Sequence, residues 1–533
     1  MPQIEHVIVL MMENRSFDHL LGFLDHPSPN YPRLRAGAHP NKYSAEMRKG
    51  RGVDAKARYE IVGPGHDHID AIQQIFGNED APKDWLPAPS EPLPAPKMRG
   101  FVRNYYSSKL RPLFSRGAAR KHALRVMQCM DESKIPVIST LAKEYAVCTR
   151  WFCSVPGQTF PNRDYAFSGT SNGEVDNYVR GNIGKSRPTI FSAVEATGRE
   201  WKIYHEDVPF AATYPALRTA GRFRSHRDLL GDIEDNTLPH LAWVEPDYGL
   251  VGSGNSQHPG QADSAEEFVE GERLIAKIHD ALTANTELFS KTLFLLVYDE
   301  HGGFFDHEPP PRAVPPDEVR YSTDDGYEFA FDRLGPRVPA IIMSPWIRAG
   351  TIFDTQLDHT SISKTLEVLF GAEALGKRAK AANSFWPANS DGQEFITPQV
   401  RRDLRAVLPK VPRIPPRTLF ERIERLSIRV EKLVRKGLHW MKNKLSRLGS
   451  RREPPSTVPL HGNNPLRMQF YDVAQELAES YPSLTTDTST TVDNELDRAA
   501  MKGLIEALRN PDVFGSTAAN DSGDSRPMAS GDP

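Results

Sequence analysis

The chain has 533 residues, with 66 basic and 69 acidic side chains and a net charge of −3. That near balance excludes wholesale electrostatic attraction to nucleic acid, so no nucleic-acid partner is expected. Three cysteines exclude a disulfide framework, and no apolar stretch approaches the ~20 residues of a transmembrane helix.

Taken in chain order, Ile4–Met12 is almost wholly apolar and reads as a strand buried on both faces. It lacks a basic start and a small-residue cleavage site, so it is not read as a signal peptide. The expected location is cytoplasmic or peripheral to a membrane, or outside the cell by a non-classical route. The strand runs directly into Glu13-Asn14-Arg15-Ser16-Phe17-Asp18-His19. Residues 28–60 and 78–100, rich in Pro, Lys and Arg, are expected to be surface insertions. Pro136–Tyr145 has helical periodicity. Cys129, Cys148 and Cys153 are close in sequence without CxxC spacing and are expected to be buried free thiols.

Residues 156–173 read Pro-Gly-Gln-Thr-Phe-Pro-Asn-Arg-Asp-Tyr-Ala-Phe-Ser-Gly-Thr-Ser-Asn-Gly. Pro161 suits a first helical turn, which puts Thr159 near a helix N-terminus, where backbone N–H groups favour an anion. A hydroxyl held there beside a metal can lose its proton and attack phosphorus. Local sequence alone favours a plain N-cap threonine.

Trp201–Tyr204 and His240–Val244 read as strands, and Phe268–Leu282 as an amphipathic helix. It feeds the most informative segment, residues 292–309: Thr-Leu-Phe-Leu-Leu-Val-Tyr-Asp-Glu-His-Gly-Gly-Phe-Phe-Asp-His-Glu-Pro. An apolar run drives into acids, histidines and a glycine pair, and ligands in open α/β sheets collect at the carboxyl ends of such strands. Asp299, Glu300, Asp306 and His307 are therefore expected where chemistry happens. A third strand-like run follows Arg337. Downstream, Asp358-His359-Thr360-Ser361 opens a helical pattern through Ile362, Leu366 and Leu369. Carboxylates from several distant segments, with a histidine, suit a divalent metal. The alternation of strands and helices over residues 1–398 predicts an α/β fold with a mainly parallel sheet.

Composition changes after residue 398. Residues 399–514 form a basic, helical C-terminal region, and 515–533 have the composition of a disordered tail. Leu419–Leu448 carries apolar residues at helical spacing with a polar face of Arg and Lys. Peripheral contact with an anionic membrane surface and docking on the catalytic domain are equally open readings. Met468–Glu479 and Asn494–Leu508 are also expected to be helical.

Taken together, Glu13-Asn-Arg-Ser-Phe-Asp-His, Thr159-Phe-Pro-Asn-Arg, His258-Pro, Asp299-Glu-His-Gly-Gly-Phe-Phe-Asp-His, Gly335-Pro-Arg-Val-Pro and Asp358-His-Thr-Ser resemble the phosphatidylcholine-type, non-specific phospholipase C family. That family also contains acid phosphatases and belongs to the alkaline phosphatase-like superfamily. Pro64-Gly-His66 with Gln73-Gln-Ile-Phe-Gly77 resembles the plant non-specific members, although Gly63 stands where they carry Asp. The resemblance covers residues 3–372. It implies a three-layer α/β sandwich and a metal-dependent phosphoesterase. The implied reaction releases diacylglycerol and a phosphorylated head group from phospholipids through a phosphothreonine. An acid phosphatase or phosphodiesterase acting on soluble esters is the alternative. By position, Glu13, Asn14, Thr159, Asp358 and the adjacent His359 match metal-site residues, with Ca, Mg, Mn or Zn as the ion. Thr159 matches the nucleophile. His66, His258 and His307 match histidines around the phosphate, and His307 is the candidate acid for the leaving group. Asp299 and Glu300 either bind metal or order His307. Asp18 and His19 are expected to brace the first loop, and His68 and His301 to be structural.

Overall fold

The computed structural model describes residues 2–411, apart from 48, 60, 78–85, 87–93, 178–186, 251–253, 261–263, 325, 387–394, 403, 405–407 and 410; beyond 411 it describes Ile505 and Arg509. The helix expected at Leu419–Leu448, that at Met468–Glu479, most of that at Asn494–Leu508, and the tail therefore lie outside the described residues. Among the described residues no helix is long and apolar enough to cross a membrane.

Among the described residues there are ten strands: β1 His6–Met12, β2 Ala146–Cys148, β3 Trp201–Tyr204, β4 Phe223–Arg224, β5 Leu241–Val244, β6 Thr292–Tyr298, β7 Tyr321–Ser322, β8 Glu328–Phe329, β9 Ala340–Met343 and β10 Thr351–Phe353. Eight of them form one sheet in the order β10-β2-β9-β6-β1-β5-β3-β4, and β7 and β8 form a separate hairpin. The sheet is mainly parallel; β9 alone runs against its neighbours β2 and β6. Each of the apolar runs read as strands lies in this sheet.

The centre of the sheet explains its composition. β6 is buried at every position and β1 from Val7 onward. Strands covered on both faces bury about 1.5–3 kcal/mol of favourable transfer per large apolar side chain, so Val, Ile, Leu and Met fill them without alternation. The covering helices fall into two mutually packed sets. One contains Pro136–Glu144, His226–Glu234, Ser264–Ala284 and Thr286–Ser290; the other contains Thr159–Ser168, Ile190–Glu195, Thr360–Phe370 and Gly376–Ala381. The result is the expected three-layer α/β sandwich. The three cysteines are free and buried.

One expectation needs correction. Residues 28–60 are more than a surface insertion: Tyr31, Leu34, Asn41, Val53, Ala57 and Tyr59 are buried, and the apolar ones join the two hydrophobic cores. Beyond the catalytic region, Ile505 is buried within the main core, and Arg509 hydrogen-bonds the His205 carbonyl. The chain therefore returns to the catalytic domain after residue 411.

Candidate active site

The parallel register sets the site. In β1 and β6 Met12 pairs with Tyr298, and in β1 and β5 Leu10 pairs with Val244. Glu13, Asp299 and Glu245 follow these three adjacent strands and so emerge at one carboxyl edge of the sheet. All three are fully buried. The group that joins them is Arg163, whose Nη2 donates to Glu13 (2.5 Å), Nη1 to Glu245 (3.0 Å) and Nε to Asp299 (3.3 Å). Arg163 lies one turn after Thr159 in the helix Thr159–Ser168, and residues four apart share a helix face. The same helix therefore delivers both the hydroxyl and the cation that organises the acids.

Thr159 is the first residue of that helix, following extended Gln158. The Asn162 side chain ties the approach: its Oδ1 accepts from Val155 N, and its Nδ2 donates to the carbonyls of Val155, Gly157 and Gln158. Thr159 Oγ1 then lies 3.4 Å from both Glu13 Oε2 and Asn14 Oδ1. Asn14 adopts a left-handed φ of 55°, a conformation that non-glycine residues take at a cost and that clusters at functional sites. Its N–H donates to Asp299 Oδ1 (2.9 Å), and its Nδ2 meets His66 Nε2 at 3.3 Å. His66 Nδ1 donates to the Pro64 carbonyl, which leaves Nε2 as the acceptor for Asn14. The His258 ring packs edge-on against His66 with centroids 6.0 Å apart. The glycine pair has a steric reason. Gly302 and Gly303 have φ of 64° and 72°, and a Cβ on Gly302 would stand 2.1 Å from the Asn14 carbonyl oxygen.

This cluster carries more buried acid than base. Burial and the charge of Asp299 push the Glu13 carboxyl well above the usual carboxylate range, despite Arg163. Burial likewise raises Glu300 to about 8, against the pull of His66. Glu300 Oε1 is buried without a hydrogen-bond partner and lies 4.0 Å from His66 Nε2. An oxygen-rich, over-acidic buried cluster with an orphaned carboxylate oxygen fits a divalent cation. Asp358 reaches this region through Ser154, which donates to Asp358 Oδ2 and accepts from His359 N. Asp358 also lines a cleft of about 280 Å³ and stands 3.7 Å from Arg378. His359 is placed differently from a ligand. Its Nδ1 accepts from Trp151 Nε1, and its Nε2 donates to the Asp299 carbonyl at 2.5 Å. Both ring nitrogens are spent on orienting the β6 end.

A second buried cluster forms around Arg337, which donates to Asp306 and Asp18, each at 2.9 Å, and lies over the Phe17 ring. Asp18 Oδ2 accepts from both the backbone N–H (2.7 Å) and Nδ1 (2.8 Å) of His307. Asp18 thus orders His307; no hydrogen bond or ion pair among the described residues links Asp299 or Glu300 to that ring. Among the described residues Asp18, Asp306 and His307 also form a trio whose ligand atoms lie within 4.8 Å of one another. Arg337 and His307 already bond the carboxylates of that trio, whereas Glu300 Oε1 in the cluster around Glu13 has no hydrogen-bond partner. Burial lowers the His307 pKa, but the Asp18 hydrogen bond and charge, aided by Asp306, outweigh it and leave the ring above its ordinary value. His19 braces Arg15 and the Gln128 carbonyl, His68 bonds the Pro156 carbonyl and Tyr327, and His301 bonds Gln74. Arg163, Glu245 and Ser154 were not picked out as site residues in the sequence. The spacing of Arg163 four residues after Thr159 is the one signal that could have found them.

The model of the phosphoesterase family matches residues 4–373. The chain belongs to the phosphoesterase family. It is 33% identical to non-specific phospholipase C3 of Arabidopsis thaliana, with 77% of each chain covered. It is 26% identical to the non-hemolytic phospholipase C of Pseudomonas aeruginosa, covering 69% of this chain and 54% of that one. It is 25% identical to phospholipase C B of Mycobacterium tuberculosis, covering 80% and 85%. Among solved structures it is similar to murine ectonucleotide pyrophosphatase/phosphodiesterase 5, with a TM-score of 0.32, 11% identity, and 50% and 96% coverage. Within this family the chain is a phosphoric ester hydrolase, and phosphate esters are its substrate class.

The Asp18–His307 pair makes a directional prediction. A general acid works while protonated, so with His307 in that role kcat/KM should fall as pH rises through its pKa, which Asp18 holds above the ordinary value. Replacing Asp18 by Asn removes the negative charge and should move that alkaline limb down by about one pH unit. The measurement is a pH–rate profile on folded variant, with the fold checked by circular dichroism. An unmoved limb would show that His307 is not the titrating acid.

Proposed function

We propose that this protein is a phospholipase C that cuts the glycerol-side P–O bond of phospholipids, releasing diacylglycerol and a phosphorylated head group. The observation that carries the reading is the buried Thr159 hydroxyl at a helix N-terminus, 3.4 Å from both Glu13 and Asn14, in a chain whose relatives are phospholipases C. Thr159 Oγ1 attacks phosphorus as the alkoxide, its proton having passed to bulk water before the cycle begins, and it is released again as the alkoxide. As the Oγ1–P bond forms, the bond to the glycerol oxygen breaks, and His307 Nε2–H gives its proton to that oxygen. Asp18 on Nδ1 keeps the ring oriented and charged for this transfer. His307, now neutral, takes a proton from water as the water oxygen attacks the phosphothreonine, which frees the phosphorylated head group and restores Thr159. His66 and His258 face the phosphate from the Asn14 side. The helix N-terminus holds its negative charge. Glu13, Asn14 and Thr159, with Asp358, Asp299 and Glu300 as further oxygen donors, would hold a divalent cation whose charge draws in the phosphodiester and favours the deprotonated hydroxyl. Ca, Mg, Mn and Zn all accept oxygen donors. His359 serves by fixing Asp299 and Asp358 rather than by ligation.

Thr159→Ala should reduce turnover of phosphatidylcholine by at least a thousandfold without unfolding the protein, because the attacking oxygen is gone. Mass spectrometry of products from mixed phospholipids gives the readout. Activity within about tenfold of wild type removes the assignment, and release of inorganic phosphate without diacylglycerol would make the enzyme a phosphatase on soluble esters.

Glu13→Ala, Asn14→Ala and Asp358→Ala should each lower bound metal, measured by elemental analysis of folded protein. Full occupancy in all three would place the ion elsewhere.

Peripheral membrane contact belongs to the same proposal. Leu419–Leu448 carries Arg422, Arg425, Arg429, Lys432, Arg435, Lys436, Lys442 and Lys444 beside an apolar stripe. Each basic group near an anionic surface contributes about 1 kcal/mol, weakened by salt. Replacing these eight basic residues by Gln should lower activity on anionic vesicles far more than on p-nitrophenyl phosphorylcholine. Parallel loss of both would make the segment a structural brace.

A further inference from the structure

We propose that His39 is a positioning residue for His307, clamping the imidazole from the face opposite the buried core. The inference rests on His307 acting as the leaving-group acid. Four observations carry it. The two rings lie with centroids 4.9 Å apart at an interplanar angle of 32°, and the His39 ring also contacts Phe305 at 6.0 Å. His39 is held at a left-handed φ of 51°, which a histidine adopts at a cost and which persists only where the surroundings impose it. The surroundings here are specific. Gly37 N donates to Val53 O, Val53 N donates to Ala38 O, and Asn41 and Arg51 exchange both backbone hydrogen bonds, forming an arch with His39 near its crown. Buried Asn41 then donates from Nδ2 to the His39 carbonyl and to that of Met98. An arch anchored this firmly, with an exposed histidine at a strained position, places one ring and leaves little else to explain it.

The role follows from what His307 lacks. Its Nδ1 is fixed by Asp18, and Asp306 and Arg337 stand behind it. These side-chain contacts fall on the Nδ1 edge of the ring, and His39 adds a ring contact. Among the described residues the charged and titratable groups facing His307 are Asp18, Asp306, Arg337 and His39, and of these His39 is the exposed one. Partial burial and the nearby His307 both lower the His39 pKa from its ordinary value. The contact is a tilted ring–ring one, which an aromatic plane supplies.

The test separates acid catalysis from a structural role by the leaving group. From glycerophosphocholine the glycerol departs as a poor alkoxide that needs a proton, whereas from p-nitrophenyl phosphorylcholine a stable p-nitrophenolate departs that does not. Both are soluble, so the outcome is independent of membrane binding and of whether phospholipids are the natural substrate. His39→Ala should lower kcat on glycerophosphocholine about tenfold with KM held, change the p-nitrophenyl ester less than twofold, and be restored by His39→Phe. His307→Ala should show the same dependence on the leaving group, more strongly. Equal loss on both esters, or no rescue by Phe, would make the arch a structural element and overturn the inference. Absence of leaving-group dependence in His307→Ala would remove the acid role and the inference with it, while lipid cleavage measured separately would still decide the phospholipase reading.

Discussion

One buried guanidinium holds the catalytic edge of the sheet together. Arg163 has no exposed surface and four acceptors: the Met11 carbonyl, Glu13, Glu245 and Asp299. Burying a cation costs several kcal/mol unless geometry supplies partners for its donors. Here the partners come from the ends of β1, β5 and β6, and the cation from a helix on one face. The sheet order and the seating of that helix are both conditions of the network. Removing the cation would leave three buried carboxylates facing one another, which is why Arg163 belongs to the site although its donors are all spent within the protein.

The same device appears at Arg337, with a different remainder. Each arginine is outnumbered by carboxylates. Around Arg163 the surplus stays on Glu13 and Glu300, whose carboxyl groups resist ionisation. Around Arg337 the surplus is shared with His307, whose pKa rises while that of Asp18 falls. One cluster thus keeps a surplus of buried carboxyl groups and the other shares its surplus with a histidine. A phosphodiester needs both kinds of help: positive charge where the nucleophile attacks and a proton where the alcohol departs. Short connections, from Glu13 to Asp18 and from Asp299 to His307, put the two clusters on the same two loops.

Much of this was legible in the sequence because it is local. Unbroken apolar runs such as Val7–Met12 and Leu293–Tyr298 mean strands covered on both faces, and acids placed just after them mean a ligand edge. What stayed hidden depends on distance in the chain. Nothing in residues 159–168 says that Arg163 meets Glu245, 82 positions away. Asp18 read as a loop brace, and it is one, but it also holds a histidine 289 positions away. His359 sits beside Asp358, yet its ring is turned to Trp151 and a carbonyl, which only tertiary packing decides. The stretch 28–60 looked peripheral because it is polar and proline-rich. A handful of apolar anchors, Val53 and Tyr59 among them, suffice to fix it over the site.

The site is also where the molecule spends stability. Asn14 holds a left-handed backbone, which costs of order 1 kcal/mol or more, and Glu300 keeps a buried oxygen without a partner. Neither cost could persist on a pliable support. Both residues follow strands whose side chains are wholly buried and whose register is set on two sides, so β1 and β6 cannot relax to relieve them. The rigid centre of the sheet is therefore part of the chemistry. It keeps Asn14 turned toward Thr159 and His66, and it keeps excess acid where solvent cannot neutralise it. A looser scaffold would satisfy these groups internally and leave nothing for a cation or a phosphate to complete.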